Sequence, residues 1–381
     1  MKPVRVLLFI DWYRPGFKAG GPVQSCANLV TQLQGNDISF QIVTRITDYC
    51  ETQAYPGISP NTWTQREDGS SVFYISEDQL NRETLSKLIA ETDFDVAYIN
   101  GIYSRWFSIE PLRLCKKLKS EVRIVVAARG MLAPSAMAIK AFKKKLFLRM
   151  AKLTRLYKNI VFHSTGAHET EHIKAILGNV AVKEAANLSA RNSVLPANKE
   201  KSPGSLKLIC VARIAPEKNI DFALRILAGV KSTVEFDIYG PVYSEAYSEE
   251  CRKIAAELPT NITVRFNAPV APDELPGKFA QAHALFLPTR GENFGHVILE
   301  ALTAGCPAII SDRTPWRNLE AQKAGFDISL EAKSEMITAI ENIAEMDHSA
   351  FALWSQSAQK LASAHLNNSA DIDANRKLFG L

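Results

Sequence analysis

Cysteine is scarce in this 381-residue chain. The six present (Cys26, Cys50, Cys115, Cys210, Cys251, Cys306) are scattered without a close pair, which excludes a disulfide-stapled scaffold and gives no metal-ligand spacing. They read as the reduced thiols of a cytosolic protein. Long apolar runs are missing as well. The opening run, Val4 to Ile10, is too short for a signal peptide or a spanning helix, and Asp11 ends it. No other uncharged apolar stretch approaches the roughly 20 residues needed to cross a bilayer. The dinucleotide pattern G-x-G-x-x-G is absent, which argues against a nicotinamide enzyme. Acidic residues are absent from Val122 to His168, a stretch that carries Arg123, Arg129, Lys140, Lys143, Lys144, Lys145, Arg149, Lys152, Arg155 and Lys158. The net charge of +5 therefore belongs to one region, and the rest of the chain is mildly acidic.

What is present is an ordinary globular composition, 22% charged and 46% apolar, at a length that favours two domains each able to bury a core. Val4 to Ile10 reads as a central parallel strand. Ile38 to Val43, Ser71 to Ile75, Val96 to Asn100, Val122 to Ala128 and Ile160 to His163 are also strand-like. Helical segments alternate with them at Val23 to Leu33, Asp78 to Glu91 and Glu110 to Lys119. A looser segment, Ala185 to Ser205, holds Pro196 and Pro203 and reads as a linker. The pattern then restarts at Leu206 to Val211, Val234 to Tyr239, Ile262 to Phe266, Ala284 to Leu287 and Ala308 to Ile310. Such alternation predicts parallel sheets covered by helices. The expected fold class is α/β: two doubly wound Rossmann-like domains, 1–190 and 205–365, facing each other across a cleft where ligands bind.

The most informative stretch runs from Leu287 to Pro307. The buried strand Ala284 to Leu287 stops at Pro288, a polar turn follows, and Val297, Ile298, Ala301 and Leu302 then recur at helical spacing. Gly291 and Gly295 let backbone come close to a ligand, and the new helix aims its free N–H groups at the loop. Glu292 lies in that loop and Glu300 in the second turn, eight positions apart. Acids beside a helix N-terminus suit polar hydroxyls next to a bound anion, as in a sugar attached to a diphosphate. A plain helix cap with an acidic first turn explains Glu292 and Gly295, but not the whole string.

That string, Gly-Glu-Asn-Phe-Gly-His-Val-Ile-Leu-Glu-Ala-Leu-Thr-Ala-Gly-Cys-Pro with its preceding strand, resembles the signature of the retaining glycosyltransferases of family 4 (glycosyl transferases group 1), whose two-domain fold is called GT-B. The resemblance covers most of the chain and is specific over 206–320. It implies transfer of a sugar from a nucleoside diphosphate to a hydroxyl of a glycan or lipid-linked acceptor. A UDP-sugar is placed slightly ahead of a GDP-sugar, with no cofactor and no metal. The first domain would bind the acceptor, and a C-terminal helix, about 366–381, would cross back onto it. Enzymes of this kind serve cell-surface polysaccharide or lipopolysaccharide synthesis in the cytoplasm, some peripherally on the inner face of the membrane.

Residue by residue, the resemblance gives Arg213 and Lys218, two cations in one strand-to-helix loop, the clamping of the donor diphosphate. By themselves they could equally be solvated charges. Glu292 would grip the donor sugar, Glu300 the ribose, and the helix start at Phe294 and Gly295 the diphosphate. Gly240, at the end of Ile238-Tyr239-Gly240-Pro241, resembles the family's loop near the nucleotide. Many relatives have a glycine where Asn267 or Ala268 stands. Gly20 and Gly21, before Pro22 and a helix, match a glycine pair that faces the cleft, although such a pair is otherwise only a turn. Arg129 and Asn100 stand where a histidine is common, and Arg129 is a candidate for the donor sugar or phosphate. His296 follows Gly295 and either touches the donor or packs inward.

Two patterns point elsewhere. His168-Glu169-Thr170-Glu171-His172 matches H-E-x-x-H, the zinc-hydrolase signature, with two histidines on one helical face. No third ligand follows at a characteristic distance, and the segment also fits a surface helix. From Lys140 to Lys158 cations interleave with Ile139, Phe142, Leu146, Met150, Leu153 and Tyr157. This stretch reads as a solvated amphipathic helix or as a contact with anionic lipid, and no recognition fold supports nucleic acid. A nucleotide-sugar epimerase of related architecture would share the donor and lack the acceptor.

Overall fold

The structure, a computed structural model, describes residues 2–35, 37–138, 140–190, 199–366 and 368–381. Ile139 and the middle of the expected linker, with Pro196, lie outside the described residues. The chain divides into two compact units, one of Met1–Ala190 with Asn368–Leu381 and one of Arg191–Asn367.

The first unit runs β1 (Val4–Phe9), α1 (Gly21–Leu33), β2 (Ile38–Arg45), β3 (Trp63–Gln65), β4 (Ser71–Ile75), α2 (Arg82–Glu91) and β5 (Val96–Asn100). It continues with α3 (Glu110–Leu118), β6 (Arg123–Ala127), α4 (Pro134–Ala138), α5 (Ala141–Leu153), β7 (Val161–Ser164), α6 (Ala167–Leu177) and β8 (Ala181–Glu184). The strands form one sheet in the order β3-β4-β2-β1-β5-β6-β7-β8, parallel except where β3 meets β4. The central strands are apolar along their length because helices cover both faces: Val6 to Phe9 and Ala97 to Tyr98 are wholly buried.

The second unit runs β9 (Ser205–Val211), α7 (Ile220–Leu227), β10 (Thr233–Tyr239), α8 (Glu245–Ala256), β11 (Ile262–Asn267), α9 (Leu275–Gln281) and β12 (Ala284–Leu287). Then come α10 (His296–Thr303), β13 (Ala308–Ser311), β14 (Gly325–Ile328), α11 (Lys333–Ala344) and α12 (His348–Leu366). Its six strands are ordered β11-β10-β9-β12-β13-β14, all parallel. In each sheet the chain winds outward one way and then the other. The strand order reverses between β1 and β5 in the first unit and between β9 and β12 in the second. Crevices for ligands form at the carboxyl ends of strands flanking such a reversal.

One boundary differs from the sequence expectation for an identifiable reason. Helix α2 begins at Arg82 rather than Asp78 because the Asn81 side chain accepts from Thr84 N at 3.0 Å and caps it. The C-terminal helix expected at about 366–381 is α13 (Ser369–Phe379), which belongs to the first unit and follows α12 of the second. Leu378 is fully buried and the Phe379 ring meets Phe40 and Tyr98, each at 5.7 Å. The expected linker lies between β8 and β9, and its described ends are tied down. At its first end Asn28 donates to Leu188 O at 3.0 Å and Asn375 to Ala186 O at 2.7 Å. At its far end the buried amines of Lys199 and Lys201 donate to carbonyls at the C-termini of α9 and α11, Ala282 O at 2.8 Å and Ala344 O at 2.6 Å. Cations there complement the negative end of each helix.

Candidate active site

The loop leaving β9 carries Arg213, turns through Pro216–Lys218, and enters α7 at Asn219, whose backbone is left-handed (φ 60°). The loop leaving β12 runs from Pro288 to Gly295, the left-handed cap (φ 78°) of α10. These loops flank the strand reversal of the second unit and are bolted together. Asn219 Nδ2 donates to Pro288 O at 3.0 Å, and Arg290 Nε to Asn219 Oδ1 at 3.0 Å. Thr289 Oγ1 and Arg290 N both donate to Glu217 O, at 3.0 and 2.9 Å. A third loop joins from the end of β13, where Ser311 Oγ donates to Thr289 O at 2.5 Å and Glu292 N to Arg313 O at 3.0 Å.

This bracing brings Lys218 and Glu292 into a direct ion pair, although 74 positions separate them. Their side chains are only 17% and 14% exposed, so little water screens the pair. Arg213 lies in the same loop as Lys218, held by Glu217 Oε1 at 3.2 Å with its guanidinium 5.4 Å from the Tyr243 ring. Cation, carboxylate and the N-terminus of α10 therefore converge at one sheet edge.

Phe294 is buried among aromatic rings, with His296 at 4.6 Å, His365 at 5.7 Å and Trp316 at 6.3 Å. Trp316 Nε1 donates to Phe294 O at 2.7 Å, fixing the residue before the helix cap. The Phe294 ring thus serves packing, and its backbone is what borders the helix start. His296 packs on the same ring. No sequence reading assigns a role to Trp316, Asn219, Thr289 or Arg290. An asparagine directly before an apolar helical run was the available signal for Asn219.

Glu300 lies in the second turn of α10, and the protein packed around its carboxyl pushes its pKa up to about 7. The folded protein therefore holds this proton more tightly than the unfolded chain. The contribution to stability is most favourable below the ordinary carboxylate pKa of 4.5 and is lost as the pH rises through about 7. Glu300→Gln is expected to remove that loss. Melting temperatures from pH 5 to pH 8 should fall less in the variant than in the wild type, and parallel curves would show that Glu300 stays ionised throughout.

Two of the expected site residues have structural roles of their own. At Gly240, expected beside a nucleotide, an added Cβ would lie 1.9 Å from Ala212 O. The glycine is required by the close passage of the β9 and β10 loops. Arg129, expected to bind donor sugar or phosphate, has its guanidinium committed internally. Nε donates to Asn100 Oδ1 at 2.7 Å, Nη2 to Tyr98 Oη at 2.9 Å, and Nη1 to Asn187 Oδ1. Asn100 is thereby taken as well. Burial and this guanidinium hold the neighbouring His163 neutral, with its pKa lowered to about 3. Gly20 and Gly21 behave differently: among the described residues, chain neighbours and the adjoining helix backbone aside, no atom lies within 4 Å of a Cβ built at either position.

The H-E-x-x-H pattern also has a structural account. His168 points to solvent, with a side chain 94% exposed. Glu169 is buried and accepts from Thr165 N and Thr165 Oγ1, each at 2.8 Å, and from Gly130 N at 2.5 Å. It caps the start of α6 and ties that helix to the β6 turn. Among the described residues, no group of three or more His, Cys, Asp or Glu side chains could hold a metal ion.

Residues 194–350 match the family model described as glycosyl transferases group 1. The D-inositol 3-phosphate glycosyltransferase of Acidothermus cellulolyticus is 32% identical over 111 residues, 27% of this chain and 25% of that protein. Its counterpart from Streptomyces coelicolor is 33% identical over 106 residues, 26% and 23%. The chain thus spans about a quarter of the length of the curated relatives it matches. Over the whole chain, Anabaena HepE in complex with UDP and glucose superposes with a TM-score of 0.71 at 15% identity, covering 98% of both chains. Sucrose-phosphate synthase from Thermosynechococcus elongatus gives 0.69 at 15% identity, covering 100% of this chain and 98% of that one. The likeness to these structures is one of fold. Residues 194–350 belong to the glycosyl transferases group 1 family, within a chain whose two Rossmann-like units have the GT-B fold.

Proposed function

We propose that the chain is a retaining, metal-independent glycosyltransferase that moves a sugar from a UDP-sugar to a hydroxyl of a glycan or lipid-linked acceptor. The observation that carries this is the Lys218–Glu292 pair at the strand reversal, in the loops that carry Arg213 and lead into α10. A nucleotide sugar is complementary to both halves of that pair. Its diphosphate takes Lys218, together with Arg213 and the helix amides, while its sugar hydroxyls donate to Glu292. Glu300 accepts from the ribose hydroxyls.

The acceptor oxygen bonds to the anomeric carbon on the face from which the leaving group departs. The bond from that carbon to the diphosphate breaks, and the departing phosphate oxygen takes the acceptor's proton. Arg213 and Lys218 stabilise the charge that grows on the diphosphate as the bond breaks. HepE is seen in complex with UDP and with UDP-glucose, which favours uridine here. Cytoplasmic synthesis of a surface polysaccharide or lipopolysaccharide, with the first unit taking the acceptor and the Lys140–Lys158 stretch on the inner membrane face, completes the reading.

UDP is expected to raise the melting temperature with EDTA present, by an amount that grows with UDP concentration. A UDP-sugar incubated with a hydroxyl acceptor should then yield a glycoside of unchanged anomeric configuration. A melting temperature indifferent to all nucleotides would defeat the proposal, and an epimerised sugar released without acceptor would replace transfer by epimerisation.

A further inference from the structure

Helix α5 has its apolar stripe on the wrong side for a globular protein. It packs inward through Leu148 and Ala151, with the Phe147 ring 5.5 Å from Tyr103 and Lys144 Nζ donating to Ala136 O at 2.6 Å. On the outer face Phe142 is 80% exposed, Leu146 51%, Met150 52% and Leu153 78%. Their spacing of four, four and three residues places them in one line along the helix. At 100° per residue, Lys143 borders that line on one side and Lys145, Arg149 and Lys152 on the other. No acidic residue stands between Val122 and His168 to offset them.

Four side chains of this size left in water, in register and flanked by Lys143 on one side and a row of three cations on the other, fit a partner that is apolar within and anionic at its rim. A nucleic acid meets the cations and leaves the aliphatic Leu146, Met150 and Leu153 unused, since it offers phosphates and stacking faces. An anionic bilayer satisfies both. We propose that α5 docks the first unit on an anionic membrane surface, with Phe142, Leu146, Met150 and Leu153 entering the acyl boundary and Lys143, Lys145, Arg149 and Lys152 among the head groups. This deepens the proposed function by naming its membrane partner, and it rests on that reading only for its biological use.

The test is co-sedimentation of the full chain with vesicles, with no nucleotide sugar present, so that lipid binding and donor binding can fail separately. The wild type should bind phosphatidylcholine vesicles containing about a third phosphatidylglycerol, and bind pure phosphatidylcholine at least tenfold more weakly. Added salt should weaken the first of these. The double variant Phe142→Glu/Leu153→Glu should lose about a hundredfold or more in partitioning, since each apolar side chain is worth about tenfold. Lys143→Glu/Lys145→Glu should lose at least about fivefold per cation removed. Because all four positions are exposed or face outward, melting temperatures and the UDP-induced shift should match the wild type. Equal vesicle binding by the wild type and Phe142→Glu/Leu153→Glu, or no binding to the anionic vesicles at low salt, would overturn the proposal. A wild-type dimer in sedimentation velocity that Phe142→Glu/Leu153→Glu dissolves would assign the face to a second copy of the chain, and would overturn it too.

Discussion

Glu292→Gln is expected to lower turnover by about a hundredfold or more while leaving UDP affinity unchanged or improved. The direction follows from the ion pair. Glu292 holds the Lys218 ammonium in the absence of a diphosphate, so the carboxylate and the diphosphate compete for one cation. Removing the carboxylate's charge removes that competitor and, on the proposed reading, replaces one of the two oxygens that accept from the donor sugar with an amide donor. Lys218→Ala should act in the opposite sense on the nucleotide, weakening UDP by roughly two orders of magnitude, because truncating one member of a desolvated charged contact costs about 2–5 kcal/mol. Both substitutions leave a largely buried partner without its counter-charge, so a fall in melting temperature accompanies each, smaller for the isosteric glutamine. Calorimetric titration with UDP and initial rates on the same preparations separate the effects. If Glu292→Gln lost UDP binding in step with turnover, the carboxylate would be acting on the nucleotide, and its assignment to the sugar would fall.

The parts legible in the sequence were those where burial is uniform along an element. The strands Val96–Asn100 and Ala284–Leu287 read at their full length because each lies under helices on both faces and shows unbroken apolar runs. The elements that did not read were those for which the local signal is ambiguous. Trp63–Gln65 is a three-residue edge strand with exposed ends, and Gly325 opens β14 at φ 140° because an added Cβ would lie 2.0 Å from Ala308 O. A glycine at such a point looks like a turn until the neighbouring strand is in place. At the site, Lys218 and Glu292 could be nominated only through the family string, since no local pattern says that two residues 74 apart will meet. Of the residues that bolt their loops together, Asn219 offers only its place before an apolar helical run, and Thr289 carries no pattern at all. Periodicity likewise located α5 and its apolar line, but it is blind to which side of a helix the core will lie on. Only the packing of Leu148 and Ala151 shows that Phe142 and Leu153 face outward.

Gly240→Ala should be among the most damaging single-methyl additions in the second unit, and Gly21→Ala among the most benign in the first. At Gly240 the new Cβ would meet Ala212 O at 1.9 Å and Ala212 C at 2.6 Å, both backbone, with no flexible side chain to move aside. The two strand ends are also pinned by Ala212 N to Tyr239 O and Ile214 N to Pro241 O, each at 2.9 Å, so relief of the clash breaks ladder bonds. A loss of about 3–5 kcal/mol, or roughly 10 °C in the transition of the second unit, is expected. Because Arg213 follows Ala212 directly, UDP affinity should fall with it. Gly21 is the first residue of α1, and among the described residues beyond its own helix and chain neighbours nothing lies within 4 Å of its added Cβ, so alanine there should raise stability by about 0.5–1 kcal/mol through the restricted unfolded chain. If that open space serves a bound substrate, kcat/KM should drop about tenfold or more in a protein that melts higher than the wild type. Full activity of Gly21→Ala would reduce the glycine pair to a turn, and an unchanged melting temperature for Gly240→Ala would mean that the two loops pass less closely than their backbones indicate.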